Sequence, residues 1–343
     1  MLLPSTFPVL HGLNQDEFSA LVEPHRRELR AHGYRLLGSV QEAEDLVQET
    51  FLRAWQRRET FQGRAPLRAW LYKIATNLAL DLLKQRRRRT LPAARQAAHS
   101  LDEPIPADLN EPIWLEPFPD AWLPPDDVHP EARLSQRESV SLAFLTALQR
   151  LPPRQRAVLI LRDVLDWSAD ETAVLLEMTV AAVKSALHRA RATLSRRYPP
   201  HLPAPGAPAD DVEQALVQRY VNAWETADVD GLLALLKDEV TFSMPPIPAW
   251  YQGRAVVGAL VARTVFGGPA RGRWRLQPTR ANGQLAFGLY RRDDARPVYA
   301  AYGIQVATFT GGQIADILTF RHPALVPLFQ LPADLPLRPY PSE

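Results

Sequence analysis

The sequence predicts a multi-domain chain with two all-helical units followed by an α+β unit. Two stretches dense in proline, Pro92 to Pro130 and Pro199 to Pro208, lack periodic apolar residues and are expected to be linkers. Apolar residues recur at helical spacing before and between these stretches, whereas the last unit changes from helical spacing to alternation. The predicted boundaries are 14–90, 91–137, 138–198, 199–209 and 210–331.

The composition excludes several classes of protein. The 343 residues are 46% hydrophobic and carry a formal net charge of +2, and no apolar run is long enough to cross a membrane. The first residues show no secretory signal, so we expect a cytoplasmic protein without a membrane segment. The lack of cysteine excludes disulfides, thiolate catalysis and cysteine-ligated metal sites. We expect neither a cofactor nor a metal.

The first unit is predicted to be all helix. Asn14 is a suitable N-cap for its first helix, and Ser39-Val-Gln-Glu42 forms a capping box that opens the most regular helix of the chain. Pro66 stands at the first position of the last helix, which runs into the basic segment Lys84 to Arg89. The unit is therefore predicted to be a helical bundle whose last helix ends in a cationic segment.

Aromatic and basic residues interleave around this last helix. Aromatic rings stack on unstacked bases and cations hold phosphates, so the pattern is typical of single-stranded nucleic-acid binding. Trp70 also fits a core position, which its helical spacing from Leu67 and Ile74 favours. The arginine run likewise suits a solvated helix end. The candidate contacts are Phe61, Arg64, Trp70, Lys73, Asn77, Lys84, Arg86 and Arg87.

The second unit ends in a predicted helix-turn-helix. The capping box Ser168-Ala-Asp-Glu171 opens its first helix, and Thr179 caps the second. The second helix has an apolar back and a polar, basic front, as a recognition helix in the major groove requires. A surface hairpin with a solvated charged face fits the same pattern. The candidate contacts to duplex DNA are Thr179, Lys184, Ser185, His188, Arg189 and Arg191.

The third unit is predicted to be α+β. Asp210 opens helices with inward-facing apolar residues, and alternating segments follow from Val240 onwards. Turn signals such as Asn282-Gly283 and Gly311-Gly312 separate these segments. Helices followed by hairpin-linked strands predict a curled antiparallel sheet.

Three stretches of the first two units resemble bacterial sigma factors of the extracytoplasmic-function type. They are Glu42 to Trp55, Phe61 to Arg89, and Leu151 to Leu194. The resemblance implies a docking helix for the β′ clamp of RNA polymerase, a module that melts and reads the minus-ten element, and a module that reads the minus-thirty-five element. The implied partners are core RNA polymerase (β′ clamp and β subunit) and promoter DNA, double- and single-stranded.

One face of the implied docking helix is not needed for packing within its own domain. Without the resemblance, an ordinary solvated face would be the preferred interpretation of this surface. Its candidate polymerase contacts are Asp45, Gln48, Glu49, Leu52 and Arg53.

The predicted linker 91–137 is acidic and proline-rich, yet it contains Trp114, Phe118 and Trp122. A plain spacer does not need three large aromatic residues. The resemblance implies that the linker threads the polymerase, where an acidic strand can mimic RNA. The aromatic residues are equally suited to packing on the C-terminal unit, and both alternatives stay open.

The third unit resembles a SnoaL-like domain with the cone-shaped fold of ketosteroid isomerases. The segments Asp238 to Pro246, Trp250 to Arg254 and Gly311 to Ile317 carry this resemblance. Such a cone encloses one apolar pocket, a candidate site for a small-molecule ligand. Plain core positions are an equally good interpretation of the candidate pocket residues, which are Trp224, Phe242, Trp250, Tyr251, Tyr290 and Tyr302.

We expect a promoter-specificity subunit rather than an enzyme. The third unit shows no histidine–aspartate pair for proton transfer, and a fold alone does not define an activity. Regulation of the sigma modules in cis is the favoured role for this unit. A free-standing helix-turn-helix regulator with a ligand-sensing domain is the main alternative, and an enzyme tethered to a DNA-binding module is the second.

Overall fold

The computed structural model describes residues 10–61, 63, 65–85, 88–94, 96–109, 114–124, 136–195, 210–267 and 272–337. They belong to two compact units. The first falls within residues 1–89 and 122–202, and the second within residues 90–121 and 203–343. The proline-rich segment is thus shared between the units, with the change at Trp122. The five segment boundaries drawn from the sequence stay predictions.

Four helices make up the N-terminal part of the first unit. The predicted N-cap Asn14 is present, and its side chain accepts a hydrogen bond from the amide of Glu17, which completes a capping box. Gly38 ends the second helix in the left-handed conformation. Arg68 donates to Glu28 at 2.7 Å and ties the fourth helix to the second. The helices are α1 (Gln15–Val22), α2 (Arg26–Leu37), α3 (Val40–Gln56) and α4 (Leu67–Gln85).

Five more α-helices lie in the described residues of the first unit. The capping box at Ser168 is present, and Glu177 forms the turn of the helix-turn-helix with φ 54°. This is the left-handed conformation in which glycine is common, so a glutamate is strained there. A π-helical turn, Ile160–Val164, follows the third of these helices. They are α5 (Gln136–Val140), α6 (Leu142–Leu148), α7 (Pro153–Leu159), α8 (Ala169–Leu176) and α9 (Val180–Ser195).

Buried arginines join α2 to the second group of helices. Arg35 on α2 donates to Ser139 Oγ on α5 from Nε at 3.1 Å and from Nη2 at 2.8 Å. Arg156 on α7 donates to the carbonyl of Leu36 and to Gln149 Oε1, the latter at 2.7 Å. Burial lowers the pKa of Arg35 to about 10 and that of Arg156 to about 9. Each guanidinium therefore lies in a polar pocket within an otherwise apolar seam.

Three helices and a seven-stranded sheet form the second unit. The helices are α10 (Asp210–Thr226), α11 (Val229–Leu233) and α12 (Arg254–Thr264). The strands are β1 (Leu236–Ser243), β2 (Trp250–Gln252), β3 (Trp274–Ala281), β4 (Gln284–Arg292), β5 (Val298–Thr310), β6 (Gln313–Phe320) and β7 (Asp334–Pro336). The sheet order is β2-β1-β6-β5-β4-β3, and β7 pairs with β5.

The sheet is mixed, which corrects the antiparallel sheet predicted from the sequence. The β1 strand pairs with β6 in parallel, with Phe242 opposite Ile317. Every other pair of strands in the described sheet is antiparallel. Alternation reports which face of a strand is buried, but it does not report the partner of that strand, so a pairing between distant segments was missed.

The described residues 90–94, 96–109 and 114–121, here called the strap, are ordered against the sheet of the second unit. The amides of His99 and Leu109 donate to the carbonyls of Trp250 and Pro246 at 2.7 and 3.2 Å. Phe118 exchanges two hydrogen bonds with Asn282, at 2.9 and 3.0 Å. Several backbone hydrogen bonds along its length thus hold the strap to the second unit.

Candidate nucleic-acid and polymerase surfaces

Helix α9 has the two faces that a recognition helix needs. Thr179 caps it by accepting from the amide of Ala182 at 3.1 Å. Its back is buried through Val183, Ala186, Leu187 and Ala190. The predicted contacts Thr179, Lys184, Ser185, His188 and Arg189 are exposed. These side chains share one solvent-facing surface that is polar and cationic, so it suits a phosphate-lined groove.

The sixth predicted contact, Arg191, is already engaged. Its guanidinium forms two hydrogen bonds to Asp163 of the π-helical turn, with Nε at 2.9 Å and Nη2 at 2.5 Å. The hydrogen bond and burial act in opposite senses on Arg191, and the hydrogen bond prevails and raises its pKa. A bidentate pair of this kind fixes orientation as well as charge. Arg191 therefore holds α9 against its scaffold in this structure.

The predicted single-strand contacts divide into core and surface residues. Phe61 is buried and packs on the half-buried Trp70, with ring centroids 5.0 Å apart. Asn77 is exposed, and Lys84 pairs with Asp81 at 2.8 Å. Arg64, Arg86 and Arg87 lie outside the described residues.

Lys73 has a partner in the other helical group of the same unit. Its ammonium lies 3.0 Å from a carboxylate oxygen of Glu177, the residue that forms the helix-turn-helix turn. The side chains of Lys73 and Glu177 are 39% and 74% exposed, so solvent screens the pair and it contributes little stability. In this arrangement the α4 surface and the helix-turn-helix adjoin each other.

The predicted polymerase face of α3 is a continuous stripe. Positions 45, 48, 49, 52 and 53 recur at the three- and four-residue spacing that places side chains on one face of a helix. Leu52 is 50% exposed in its centre, while Glu49 and Arg53 pair at 2.6 Å. Asp45 and Gln48 are exposed. An apolar residue bordered by polar groups on an exposed helix is typical of a docking surface.

The second unit contains a cavity of about 500 Å³. Trp224, Phe242 and Tyr302 line it, as the sequence suggested. The other three candidates lie outside its lining. Trp250 donates to the carbonyl of Gln96 at 2.8 Å, Tyr290 donates to that of Pro332 at 2.8 Å, and Tyr251 packs edge-on against His99.

Four arginines of the cavity were missed from the sequence. They are Arg273, Arg291, Arg292 and Arg321. The available signal was that each stands at or just beyond the end of a strand, where residues of neighbouring strands meet at one edge of a sheet.

Within the described ranges, His, Asp and Glu side chains do not gather in groups of three or more that could hold a metal. Among the described helices, none combines the length and apolar character that a bilayer crossing requires.

Comparisons with known proteins identify three kinds of domain. Residues 21–89 match Sigma-70 region 2, residues 141–194 match Sigma-70 region 4, and residues 217–317 match the SnoaL-like domain. The ECF RNA polymerase sigma factor SigG of Mycobacterium tuberculosis is 42% identical over 323 residues, which span 93% of this chain and 85% of SigG. SigW of Bacillus subtilis is 29% identical over 188 residues, which span 54% of this chain and 90% of SigW.

The fold is also similar to a solved structure. The crystal structure of the extracytoplasmic function sigma factor SigJ of Mycobacterium tuberculosis superposes with a TM-score of 0.56 at 22% identity, covering 92% of this chain and 99% of the SigJ chain. The predicted order of two helical sigma domains and a SnoaL-like domain is confirmed. This chain belongs to the ECF RNA polymerase sigma factors.

Proposed function

We propose that this sigma factor reads the minus-thirty-five element with α9, holds the melted minus-ten element with α4 and its preceding loop, and docks on the β′ clamp with α3. Core RNA polymerase and promoter DNA are its partners, and it acts in the cytoplasm, where both are found. The second unit regulates these actions in cis and does not catalyse a reaction. The matched relatives are sigma factors, so they do not favour a free-standing regulator.

The single observation that carries the DNA-reading proposal is the division of α9 into a buried back and a polar front. Lys184, His188 and Arg189 project from the exposed side, and the capping threonine stands at its N-terminal end. The N-terminal residues of a recognition helix contact base edges while basic residues along it meet phosphates. Arg191 supports this surface indirectly, by anchoring the helix to Asp163.

Support for the minus-ten assignment comes from one face of α4. Asn77 offers an amide to base edges, and the half-buried Trp70 lies about two helical turns before it on the same face. The amide and aromatic pair is the chemistry that unstacked bases require. Phe61 is buried beneath Trp70, so its role is to support the orientation of that ring.

The case against catalysis rests on the positions of Asp316 and His322, whereas Asp294, the acid of the cavity lining, is exposed to solvent. Burial raises the pKa of Asp316 to about 6, and this carboxylate bonds to Thr241. The register pairs Phe242, which lines the cavity, with Ile317, so the neighbouring Asp316 points to the opposite face of the sheet. His322 is exposed and outside the cavity lining. A general acid or base must reach its substrate, which neither group does from there.

The case for regulation in cis rests on the strap. This segment connects α4 to α5 in sequence, and its hydrogen bonds bind it to the second unit. A linker held in this way is not free to take another path. Release of the strap is therefore the step by which the second unit would control the two DNA-reading modules.

Run-off transcription with purified core polymerase and promoter-bearing DNA tests the proposal. The full chain should direct initiation at specific start sites. Lys184→Ala together with Arg189→Ala should lower initiation on promoters with a minus-thirty-five element, and Arg219→Gln, an exposed arginine on α10, serves as the matched control. If the full chain adds no specific start to those of the core enzyme, the proposed function is wrong.

A further inference from the structure

The cavity of the second unit has apolar aromatic walls. The rings of Trp224 and Trp274 meet edge to face with centroids 6.0 Å apart, and Trp274 meets Tyr302 in the same way at 5.1 Å. Phe242 and Leu289 add apolar surface. A cavity of about 500 Å³ lies in the size range of small-molecule sites. Walls of this kind accommodate a ring system or a branched apolar body.

Cations outnumber anions among the cavity residues. Arg273, Arg291, Arg292 and Arg321 line it, against one acid, Asp294. The Arg321 guanidinium donates to the Tyr302 hydroxyl at 2.7 Å from Nε. Arg291 and Arg321 lie 5.6 and 5.7 Å from the centroid of the Tyr302 ring. Two guanidinium groups thus lie near the ring that forms part of the wall.

The arginines on and beside β3 and β4 have unused bonding capacity. Within the described residues, the side chains of Arg273, Arg291 and Arg292 make no ion pair or conventional hydrogen bond. A guanidinium presents a planar fork of donors that matches a carboxylate, sulfonate or phosphate group. These arginines are therefore suited to bind an anionic group of a ligand at the edge of the cavity.

We infer that this cavity binds a small molecule in which one anionic group is attached to an apolar, ring-containing body. The ring system enters between Trp224, Trp274 and Phe242, and the anion meets the guanidinium groups. A neutral ring compound leaves those cations unmatched, while a polyanion such as a nucleoside triphosphate has no match in the apolar walls. The site thus selects for amphipathic monoanions.

The strap forms one side of this site. Ile105 lines the cavity, and Asp108 forms an ion pair with Arg321 at 3.1 Å. A ligand anion at Arg321 competes with the Asp108 carboxylate for the same guanidinium. Ligand binding and strap attachment are therefore coupled with opposite sign, and each weakens the other by the same factor. The regulatory consequence of this coupling rests on the proposed control in cis, whereas ligand binding itself does not.

A pair of fluorescent probes tests the inference on the full chain. Anilinonaphthalene sulfonate joins a ring system to one anionic group, and phenylnaphthylamine is the same ring system without the sulfonate. Saturable one-to-one binding of the sulfonate is expected, at about tenfold or more higher affinity than the neutral probe. Arg291→Gln should weaken the sulfonate by about tenfold and leave the neutral probe unchanged. Arg219→Gln, an exposed arginine outside the cavity, is the matched control.

The strap variants test the coupling. Asp108→Asn removes the competitor for Arg321 and should raise the affinity for the sulfonate, whereas Asp102→Asn, an exposed aspartate of the strap outside the cavity lining, should leave it unchanged. Equal affinity for the two probes, equal effects of Arg291→Gln and Arg219→Gln, or no saturable binding would each overturn the inferred ligand class. These outcomes are separate from run-off transcription, so the inference and the proposed function fail independently.

Discussion

Replacing Asn282 with glycine is expected to release the end of the strap from the β3–β4 hairpin. Asn282 is fully buried, and its Oδ1 accepts from the amide of Phe118 at 2.9 Å. Its own amide donates to the carbonyl of Phe118 at 3.0 Å. Glycine keeps this second bond and accommodates the φ of 57° at this position, so the substitution isolates the contribution of the side chain.

The size of the effect follows from the bond that is lost. Phe118 is also fully buried, so its amide would lose a hydrogen bond in a place that water does not reach. Such a loss costs about 1–3 kcal/mol. The local opening equilibrium of the strap should therefore rise by a factor of about 5–150. Alanine at position 282 should cost about 1–2 kcal/mol more than glycine because its Cβ opposes a left-handed backbone.

Hydrogen exchange followed by mass spectrometry measures this local opening directly. Peptides covering residues 114–121 should exchange faster in Asn282→Gly and faster still in Asn282→Ala, while peptides from β5 and β6 serve as internal references. If the strap peptides exchange at the wild-type rate in the glycine variant, the Asn282 side chain does not hold the strap. If alanine and glycine have equal effects, the backbone strain assigned to position 282 is wrong.

Three further predictions concern the first unit. Burial lowers the pKa of His32 to about 3 from an ordinary 6.5, so only the unfolded chain binds a proton between these values. The free energy of unfolding in urea should fall by up to about 1.4 kcal/mol per pH unit from pH 6.5 towards 3, and His32→Asn should flatten this dependence; an unchanged slope would contradict the assignment. Leu52→Asp should weaken binding to core polymerase about tenfold or more in an anisotropy titration, whereas Leu109→Asp, also an exposed leucine, should not; equal effects would show that the α3 face is not the docking surface. Arg189→Met should lower the salt dependence of promoter binding by about one counterion without changing stability, while Arg191→Met should also destabilise the helix-turn-helix; the reverse pattern would exchange their assigned roles.

The sequence predicted those parts of the fold that depend on neighbouring residues. The capping boxes at Asn14 and Ser168 are present because each needs only a side chain three residues away. The alternating segments were predicted from Val240 onwards, whereas β1 already begins at Leu236, soon after α11 ends at Leu233. At Leu236 the strand pairs with Ile314 of β6, a partner that no local pattern reports.

Distance along the chain also explains what was missed in the candidate sites. Arg35 and Ser139 are joined across more than a hundred residues, so their pairing has no sequence signal. The cavity arginines come from the ends of different strands, and Arg321 meets an acid of the strap that the sequence assigned to a linker. The α9 front was predictable because one helix supplies all of it, although the pairing of Arg191 with Asp163 required the fold.

The buried arginines between α2 and the second group of helices affect the tendency of this chain to aggregate. If the two helical groups were joined only by leucine and valine, their separation would expose an apolar patch. Exposed apolar patches promote aggregation. Arg156 donates across the seam to the carbonyl of Leu36, and both groups are readily hydrated once they are separated. Separation of the two helical groups would therefore expose less apolar surface than parting of an all-aliphatic boundary, a useful property in a subunit that binds and leaves a much larger enzyme.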